Sequence, residues 1–470
     1  MSQTRENCGL FGLYGHPDAV EKVYLGLFSL QHRGQESAGI ASTGGADITH
    51  HVGMGLVREV LPPARLKALR NPAAIGHVRY STTGSSRIEN AQPLVARFSR
   101  GPVAVAHNGN LTNAALLRDE YEARGSIFRT TNDTEVIVHL LAQPVAARQA
   151  DPLAHVLDQL EGAFSLLVLT PDEMIAACDP YKLRPLELGR LGDAHVVASE
   201  TCAFDVLGVE YVRDIQPGEV LHIGPSGLKS ATFCHPDRVR PAHCIFEHIY
   251  FSRPDSRVFC DSVHAVRRRL GGQLAREHPV EADVVFAVPD SGNSACVGYA
   301  RESGTPMDIG FIRSHYVGRT FIQPHQSDRD RLVQVKMNCM REVIDGKRVV
   351  VVDDSVVRGT TTRGKMKAVR DAGAREIHLR ISSPPIRHPC FYGIDFPTTD
   401  ELIAANRTPQ EIADFLAIDS LGYLSVPGLL SCVSQPPDHY CTACFSGRYP
   451  APVGVHVGKH AMERHQLSMF

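Results

Sequence analysis

From Val349 to Val352 four β-branched apolar residues run without a break, and the run stops at Asp353 and Asp354. An uninterrupted apolar run of this length predicts a strand buried on both faces. Asp283 to Val288, Met307 to Ile312 and Glu376 to Ile381 read the same way. Between them lie segments of helical character, Ser294 to Glu302 and about Thr361 to Ala372, the second ended by Gly373. Helices alternating with buried strands predict a parallel, doubly wound sheet. The first half of the chain has another rhythm. Short alternating segments (His51 to Val57, Ala74 to Tyr80, Pro102 to His107, Ala163 to Leu169, Glu219 to Ile223) are separated by glycine turns. A few helical stretches such as Glu135 to Leu141 interrupt them, which predicts a layered α+β fold. Pro225 to Pro241, with Pro225, Gly227, Pro236 and Pro241, reads as a linker. The expected division is residues 8–240 and 241–470, after a short leading segment, residues 1–7.

Composition narrows the function classes. A chain of 470 residues with 43% hydrophobic content is a multidomain globular protein. Its 49 basic and 51 acidic residues carry no long run of one sign, so neither nucleic acid nor a polybasic membrane contact is implied. No apolar run approaches the roughly 20 residues of a membrane span, and Met1 to Asn7 lack the apolar core of a signal peptide. A cytoplasmic protein is expected. Twelve scattered cysteines do not form a disulfide framework, and clustered ones point to metal or chemistry.

The strand end at Asp353 carries the strongest chemistry. The loop Ser355-Val-Val-Arg-Gly-Thr-Thr-Thr362 follows two carboxylates and leads into a helix. Ligands of open α/β sheets sit outside the carboxyl ends of strands. Hydroxyls, loop N–H groups and the helix N-terminus can wrap a phosphate, while the acids hold ribose hydroxyls or a metal. The stretch resembles the 5-phosphoribosyl-1-pyrophosphate (PRPP) motif of type I phosphoribosyltransferases. That resemblance implies that Ser355, Arg358, Gly359, Thr360, Thr361 and Thr362 cradle the 5-phosphate. It places the pyrophosphate on the loop of Asp290, Ser291 and Gly292. Asp353 and Asp354 take the ribose, and Mg²⁺ sits with Ser291, Asp353 and Asp354. Tyr316 to Lys336 resembles the loop that closes over PRPP.

Near the amino terminus five short pieces occur in order: Cys8-Gly-Leu-Phe-Gly, Gln31-His-Arg-Gly-Gln35, His77-Val-Arg-Tyr-Ser-Thr82, His107-Asn-Gly-Asn-Leu111 and Thr131-Asn-Asp-Thr-Glu135. Each is weak alone. Together they resemble the class II glutamine amidotransferase domain, an N-terminal-nucleophile hydrolase layered α/β/β/α. A thiol is a suitable nucleophile for an amide carbon, and no obvious Cys–His pair lies close in sequence. In the family the α-amino group of that cysteine is the base, which makes Met1 to Asn7 a propeptide cut at Asn7–Cys8. The resemblance makes Asn108 and Gly109 the oxyanion hole. Arg79 grips the glutamine α-carboxylate, Asp133 holds the α-ammonium, and Arg33 and Thr82 line the pocket.

A glutaminase joined to a phosphoribosyltransferase resembles the amidophosphoribosyltransferase family. The implied reaction makes phosphoribosylamine, glutamate and pyrophosphate from glutamine and PRPP, at the first committed step of purine synthesis. The linking segments Phe246 to Ser256, Tyr316 to Ile322 and His388 to Asp395 match as well, with His248 standing where tyrosine is expected. The family implies feedback by purine nucleotides and a homotetramer. Cys441-Thr-Ala-Cys444 by itself leaves zinc, a redox pair and chance open. The subgroup that carries a propeptide also holds a [4Fe–4S] cluster, and its ligand positions correspond to Cys244, Cys390, Cys441 and Cys444. Cys178 and Cys296 read as buried apolar residues.

Overall fold

The structure is a computed structural model that describes residues 8–80, 85–313, 337–396 and 398–454. Two antiparallel sheets make the first half. One runs Glu210–Asp214, Glu187–Leu191, Ala194–Ala198, Gly9–Tyr14, Ala73–Arg79, Ser37–Thr43, Ile48–Met54. The other runs Gly227–Thr232, Glu219–Gly224, Met174–Cys178, Gly162–Leu169, Gly101–Leu111, Leu94–Phe98. Strand alternation sorts their side chains. Leu10, Ile75, Ala104, Leu167 and Val197 fill the space between the sheets. Phe11, Leu13 and Val78 face the other way, onto Val20, Val23 and Leu27 of the helix Ala19–Ser29. Val105, Phe164 and Leu166 likewise pack outward, against Val136, Ile137 and Leu140 of the helix Thr134–Leu141. The layers are therefore helix, sheet, sheet, helix.

The second half centres on a parallel sheet ordered Val284–Ala287, Arg348–Asp353, Glu376–Ile381, Ser420–Tyr423. Its two faces feed separate cores. Val285, Val350 and Val352 pack with Leu270 and Leu274, whereas Phe286, Val349 and Val351 pack with Met366 and Val369. Burial on both faces is why these strands carry no polar alternation.

Two expectations change. Gly227–Thr232, inside the stretch read as a linker, is an edge strand paired along its length with Glu219–Gly224. All six of its residues are exposed, so no apolar face marked it in the sequence. Met307 to Ile312 is not one buried strand. Met307 makes a single parallel bridge to Val285, and only Phe311–Arg313 is extended, pairing antiparallel with Met337–Cys339. Met307 and Ile309 are exposed, so this run of apolar residues lies at the margin of the sheet and not within it. The expected helices occur as Asn293–Ser303 and Thr360–Asp371, and Gly373 takes φ +102 just beyond the second. Cys178 and Cys296 are fully buried.

Candidate active site

Cys8 stands immediately before the strand Gly9–Tyr14, buried, with its Sγ donating to the Tyr80 carbonyl at 3.6 Å. Burial pushes the thiol pKa up, while the hydrogen bond to Tyr80 and the nearby Arg79 pull it down. Asp133 acts on the same thiol in the opposite sense, so a cation and an anion both stand within electrostatic reach of Cys8. Burial would raise the Asp133 pKa. His107, the Leu111 N–H at 2.9 Å and Arg79 outweigh it and hold the carboxyl below its ordinary range. Gly34 is required where the loop after the first helix passes this pocket, because a Cβ there would lie 2.7 Å from the Arg79 backbone.

The strand Gly101–Leu111 brings Asn108 and Gly109 to the same end of the sandwich. His77 Nε2 donates to the His107 carbonyl at 3.0 Å and ties the two sheets together there. Burial drives His77 down to about 3, so it stays neutral. Asn108 is 1% exposed, and its Nδ2 has no hydrogen-bond acceptor among the described residues. A buried amide donor without a partner carries a real cost and calls for a reason. Gly109 has φ +149, and a Cβ at that position would stand 2.0 Å from the Ala163 carbonyl oxygen. Only glycine fits.

Arg33, expected to line the pocket, has its guanidinium in a fully buried ion network. Its Nε donates to the Cys8 carbonyl at 2.9 Å, its Nη1 to Glu200 at 2.5 Å, and its Nη2 to Glu247 at 2.8 Å. Thr82, Met1 to Asn7 and the loop Tyr316 to Lys336 lie outside the described residues.

At the second site, Tyr250, Val288, Pro289, Ser291, Asp353, Asp354, Ser355, Val357, Gly359, Thr361, Thr362 and Lys365 surround one pocket at the carboxyl ends of the parallel strands. Asp354 accepts from Ser291 Oγ at 2.6 Å and Ser355 Oγ at 2.5 Å. Burial, with Asp353 alongside, pushes Asp354 up to about 7. Gly292 packs where a Cβ would stand 2.5 Å from the Val352 carbonyl, and Gly359 opens the helix at φ +76. Asp290, Gly292, Arg358 and Thr360 are not among the pocket's walls. Asp290 pairs with Arg313 at 2.6 Å. Arg358 turns away to Glu401 at 3.0 Å and lines a separate surface cleft. Two polar wall residues, Tyr250 and Lys365, escaped the sequence reading. Tyr250 belongs to the turn Glu247–Phe251, far away in sequence, and could not have been placed. Lys365 pairs with Asp353 at 3.2 Å; it lies one helical turn beyond Thr361, a spacing that could have found it.

Cys244, Cys390, Cys441 and Cys444 line one enclosed cavity with Leu183, Arg184, Ile245, Phe246, Tyr392, Ile394 and Ala443. A short parallel pairing of His243–Cys244 with Tyr440–Cys441 sets Cys244 beside Cys441, with Cys444 three residues on, and Cys390 arrives on the loop after the strand Glu376–Ile381. Burial raises the Cys444 thiol well above its ordinary value, and Cys441, Cys244 and Cys390 add to the effect. No three His, Cys, Asp or Glu side chains among the described residues are gathered to hold a single metal ion.

These sites have counterparts in known proteins. The amidophosphoribosyltransferase of Bacillus subtilis (strain 168) is 49% identical over 453 residues, 95% of each chain. The chain belongs to the amidophosphoribosyltransferase family. The family member from Methanothermobacter thermautotrophicus is 46% identical over 468 residues, 98% of each chain. The family model for the glutamine amidotransferase domain matches residues 77–206. A solved structure titled as the allosteric regulatory enzyme of purine biosynthesis superposes with TM-score 0.91 at 48% identity, covering 97% of this chain and 99% of its own. The glutamine PRPP amidotransferase of B. subtilis, solved with ADP and GMP, gives TM-score 0.90 at 48% identity, covering 96% of this chain and 100% of its own. An amidophosphoribosyltransferase hydrolyses glutamine and transfers the ammonia to C1 of PRPP, giving 5-phosphoribosylamine, glutamate and pyrophosphate. This is the first committed step of purine biosynthesis.

Proposed function

We propose that Cys8 is the glutaminase nucleophile and that the pocket around it is the complement of an α-amino acid. The observation that carries this reading is the buried Cys8 thiol on the Tyr80 carbonyl, next in the chain to Arg79, with Arg79 and Asp133 both in electrostatic reach of it. Arg79 pairs with the α-carboxylate and Asp133 with the α-ammonium, which sets the side-chain amide against Sγ. A thiol made less acidic by burial needs a base to become a thiolate. The α-amino group of Cys8, ordinarily titrating near pH 8, serves once Met1 to Asn7 are removed. The unpartnered Asn108 Nδ2 and the Gly109 N–H donate to the oxyanion as it forms. Cys8→Ala is expected to abolish glutamine-dependent synthesis and leave synthesis from added ammonia. Equal loss of both would refute the assignment, and so would active enzyme retaining Met1.

At the second site Ser355, Gly359, Thr361 and Thr362 hold the 5-phosphate through hydroxyls and N–H groups, with the dipole of the helix Thr360–Asp371 behind them. Arg358 and Thr360 belong to the same proposed cradle, and Asp290, Ser291 and Gly292 form the proposed pyrophosphate loop. Asp353 and Asp354 hold the ribose hydroxyls. The carboxyls and the Ser291 hydroxyl are oxygen donors on one wall, a set that suits Mg²⁺. When bound, Mg²⁺ supplies charge that offsets the departing pyrophosphate.

The four cysteines are the proposed ligands of a [4Fe–4S] cluster. Four cysteines line one cavity, and iron–sulfur clusters take four thiolates. Such a group would be structural, since it joins Cys244, Cys390 and the Cys441–Cys444 turn. The B. subtilis complex with ADP and GMP supports feedback by purine nucleotides. We also propose a homotetramer in the cytoplasm. No helix among the described residues is long and apolar enough to cross a membrane.

A further inference from the structure

The cavity of the four cysteines has a wall that is mostly apolar. Leu183, Ile245, Phe246, Ile394 and Ala443 bring no charge, and the Tyr392 hydroxyl donates to the Ala451 carbonyl at 2.6 Å. Apart from the cysteines, Arg184 alone among the described residues of that wall carries a charge, and its side chain is 1% exposed. Its hydrogen bonds fix it there. Nη2 and Nε donate to the Tyr392 carbonyl at 2.6 and 3.2 Å, and Nη1 reaches Glu247 at 3.4 Å. Glu247 does not cancel this charge, because Arg33 already takes both of its oxygens at 2.8 and 3.0 Å. Cys244 and Cys390 lie within electrostatic reach of the Arg184 guanidinium. The N–H of Tyr392 donates to Cys390 Sγ at 3.4 Å, so the residue whose carbonyl Arg184 holds also touches one of the four sulfurs. All four cysteines belong to the second half of the chain, whereas Arg184 comes from the first. The loop that delivers it, between the strands Met174–Cys178 and Glu187–Leu191, is pinned by the buried Asp179 carboxylate, which accepts from the Tyr181 N–H at 2.9 Å and the Leu183 N–H at 3.3 Å.

We propose that Arg184 is the counter-cation of the cluster, a positioning residue from the first half that offsets the charge of the four thiolates and makes the cluster harder to oxidise. The inference rests on the reading of the four cysteines as cluster ligands. A cluster held by four thiolates is a net anion, and an anion buried among apolar groups is costly unless a cation stands beside it. Net charge and hydrogen bonds around the sulfurs set how readily such a group gives up an electron. A fixed positive charge favours the more reduced, more negative form, so electrons leave less easily. The planar guanidinium holds that charge in one place while its fork holds the Tyr392 carbonyl.

The test uses full-length enzyme purified without oxygen and follows two rates. One is the bleaching of the brown absorbance in air, and the other is iron removal by a neutral bipyridyl chelator with air excluded. Arg184→Gln keeps a donor for the Tyr392 carbonyl and loses the charge. We expect it to bleach about tenfold faster or more while iron removal stays within about threefold, because oxygen reads the ease of electron loss and the chelator reads access. Arg184→Lys keeps the charge and should bleach within about threefold of the parent. Unchanged bleaching in Arg184→Gln would overturn the proposal. An equal rise in both rates would overturn it too, since that marks a merely structural role. If Arg184→Gln does not fold or holds no iron, Arg184→Lys decides: iron content and bleaching close to the parent's support the charge, and tenfold faster bleaching or loss of the iron would overturn it. Stoichiometric zinc without iron in the parent would instead overturn the cluster reading, whatever Arg184 does.

Discussion

Asn108 offers a perturbation in which activity and stability should part company. Its amide is buried, and Nδ2 has no acceptor among the described residues. The backbone at this position is secured independently by the pairing of Asn108 with Ser165 in the neighbouring strand. Asn108→Ala therefore deletes a donor that does nothing visible in the free protein. If the donor exists for the oxyanion, its loss should lower kcat with glutamine by a factor of about 10² to 10³, or roughly 2.7–4 kcal/mol of transition-state stabilisation. Stability should respond differently. Leaving a buried polar group unpaired costs about 1–3 kcal/mol. Removing it recovers part of that and offsets the small void left behind, so the net change should stay within about 1 kcal/mol and Tm within about 2 °C. The assay compares glutamine-dependent with ammonia-dependent synthesis on one preparation, alongside thermal unfolding. Ammonia-dependent synthesis should be unchanged because the second pocket is untouched. A Tm loss of about 5 °C, or glutamine turnover within threefold of the parent, would refute the oxyanion role and make Asn108 a structural residue.

Asp353→Asn with Asp354→Asn should remove synthesis from ammonia while some glutamine hydrolysis persists; undiminished synthesis would mean that PRPP binds elsewhere. Protein purified without oxygen should be brown and hold roughly four irons per chain. Cys441→Ser should lower yield and Tm as well as colour, because a metal group that exists only in the folded state contributes to folding; stoichiometric zinc without iron would refute the cluster. His222 lies between Asp151 at 3.0 Å and Glu173 at 3.0 Å, and the hydrogen bond to Asp151, with that to Glu173, raises it to about 9. Its folded pKa exceeds its unfolded value, so the stabilisation is complete below about pH 6.5 and is lost as pH rises through about 9. The Tm gap between the parent and His222→Gln should correspond to about 1 kcal/mol or less at pH 6 and close by pH 10. A gap that does not change with pH would show that the ion pairs contribute nothing.

The sequence by itself determined the elements and the chemistry wherever both are local. The valines from Val349 to Val352 and the acids that follow belong to one continuous segment, so strand, strand end and ligand loop were all legible at once. The layered first half was legible from its short strand-like segments and glycine turns, although strands such as Ala73–Arg79 and Gly162–Leu169 are buried on both faces. Gly227–Thr232 escaped because an edge strand exposed along its whole length shows no apolar face. Met307 to Ile312 misled because apolar composition does not reveal which run the sheet buries. Only the tertiary structure decided what meets across the chain. It turned Arg33 onto Glu200 and Glu247, 167 and 214 residues away, and put Lys365 and Tyr250 around Asp353. It also gathered Cys244, Cys390 and the Cys441–Cys444 turn around one cavity. These contacts follow from how sheets and loops pack, and a buried charge must find its partner in space whatever its distance along the chain. Local pattern records which side chains can do chemistry, and packing alone sets which of them face one another.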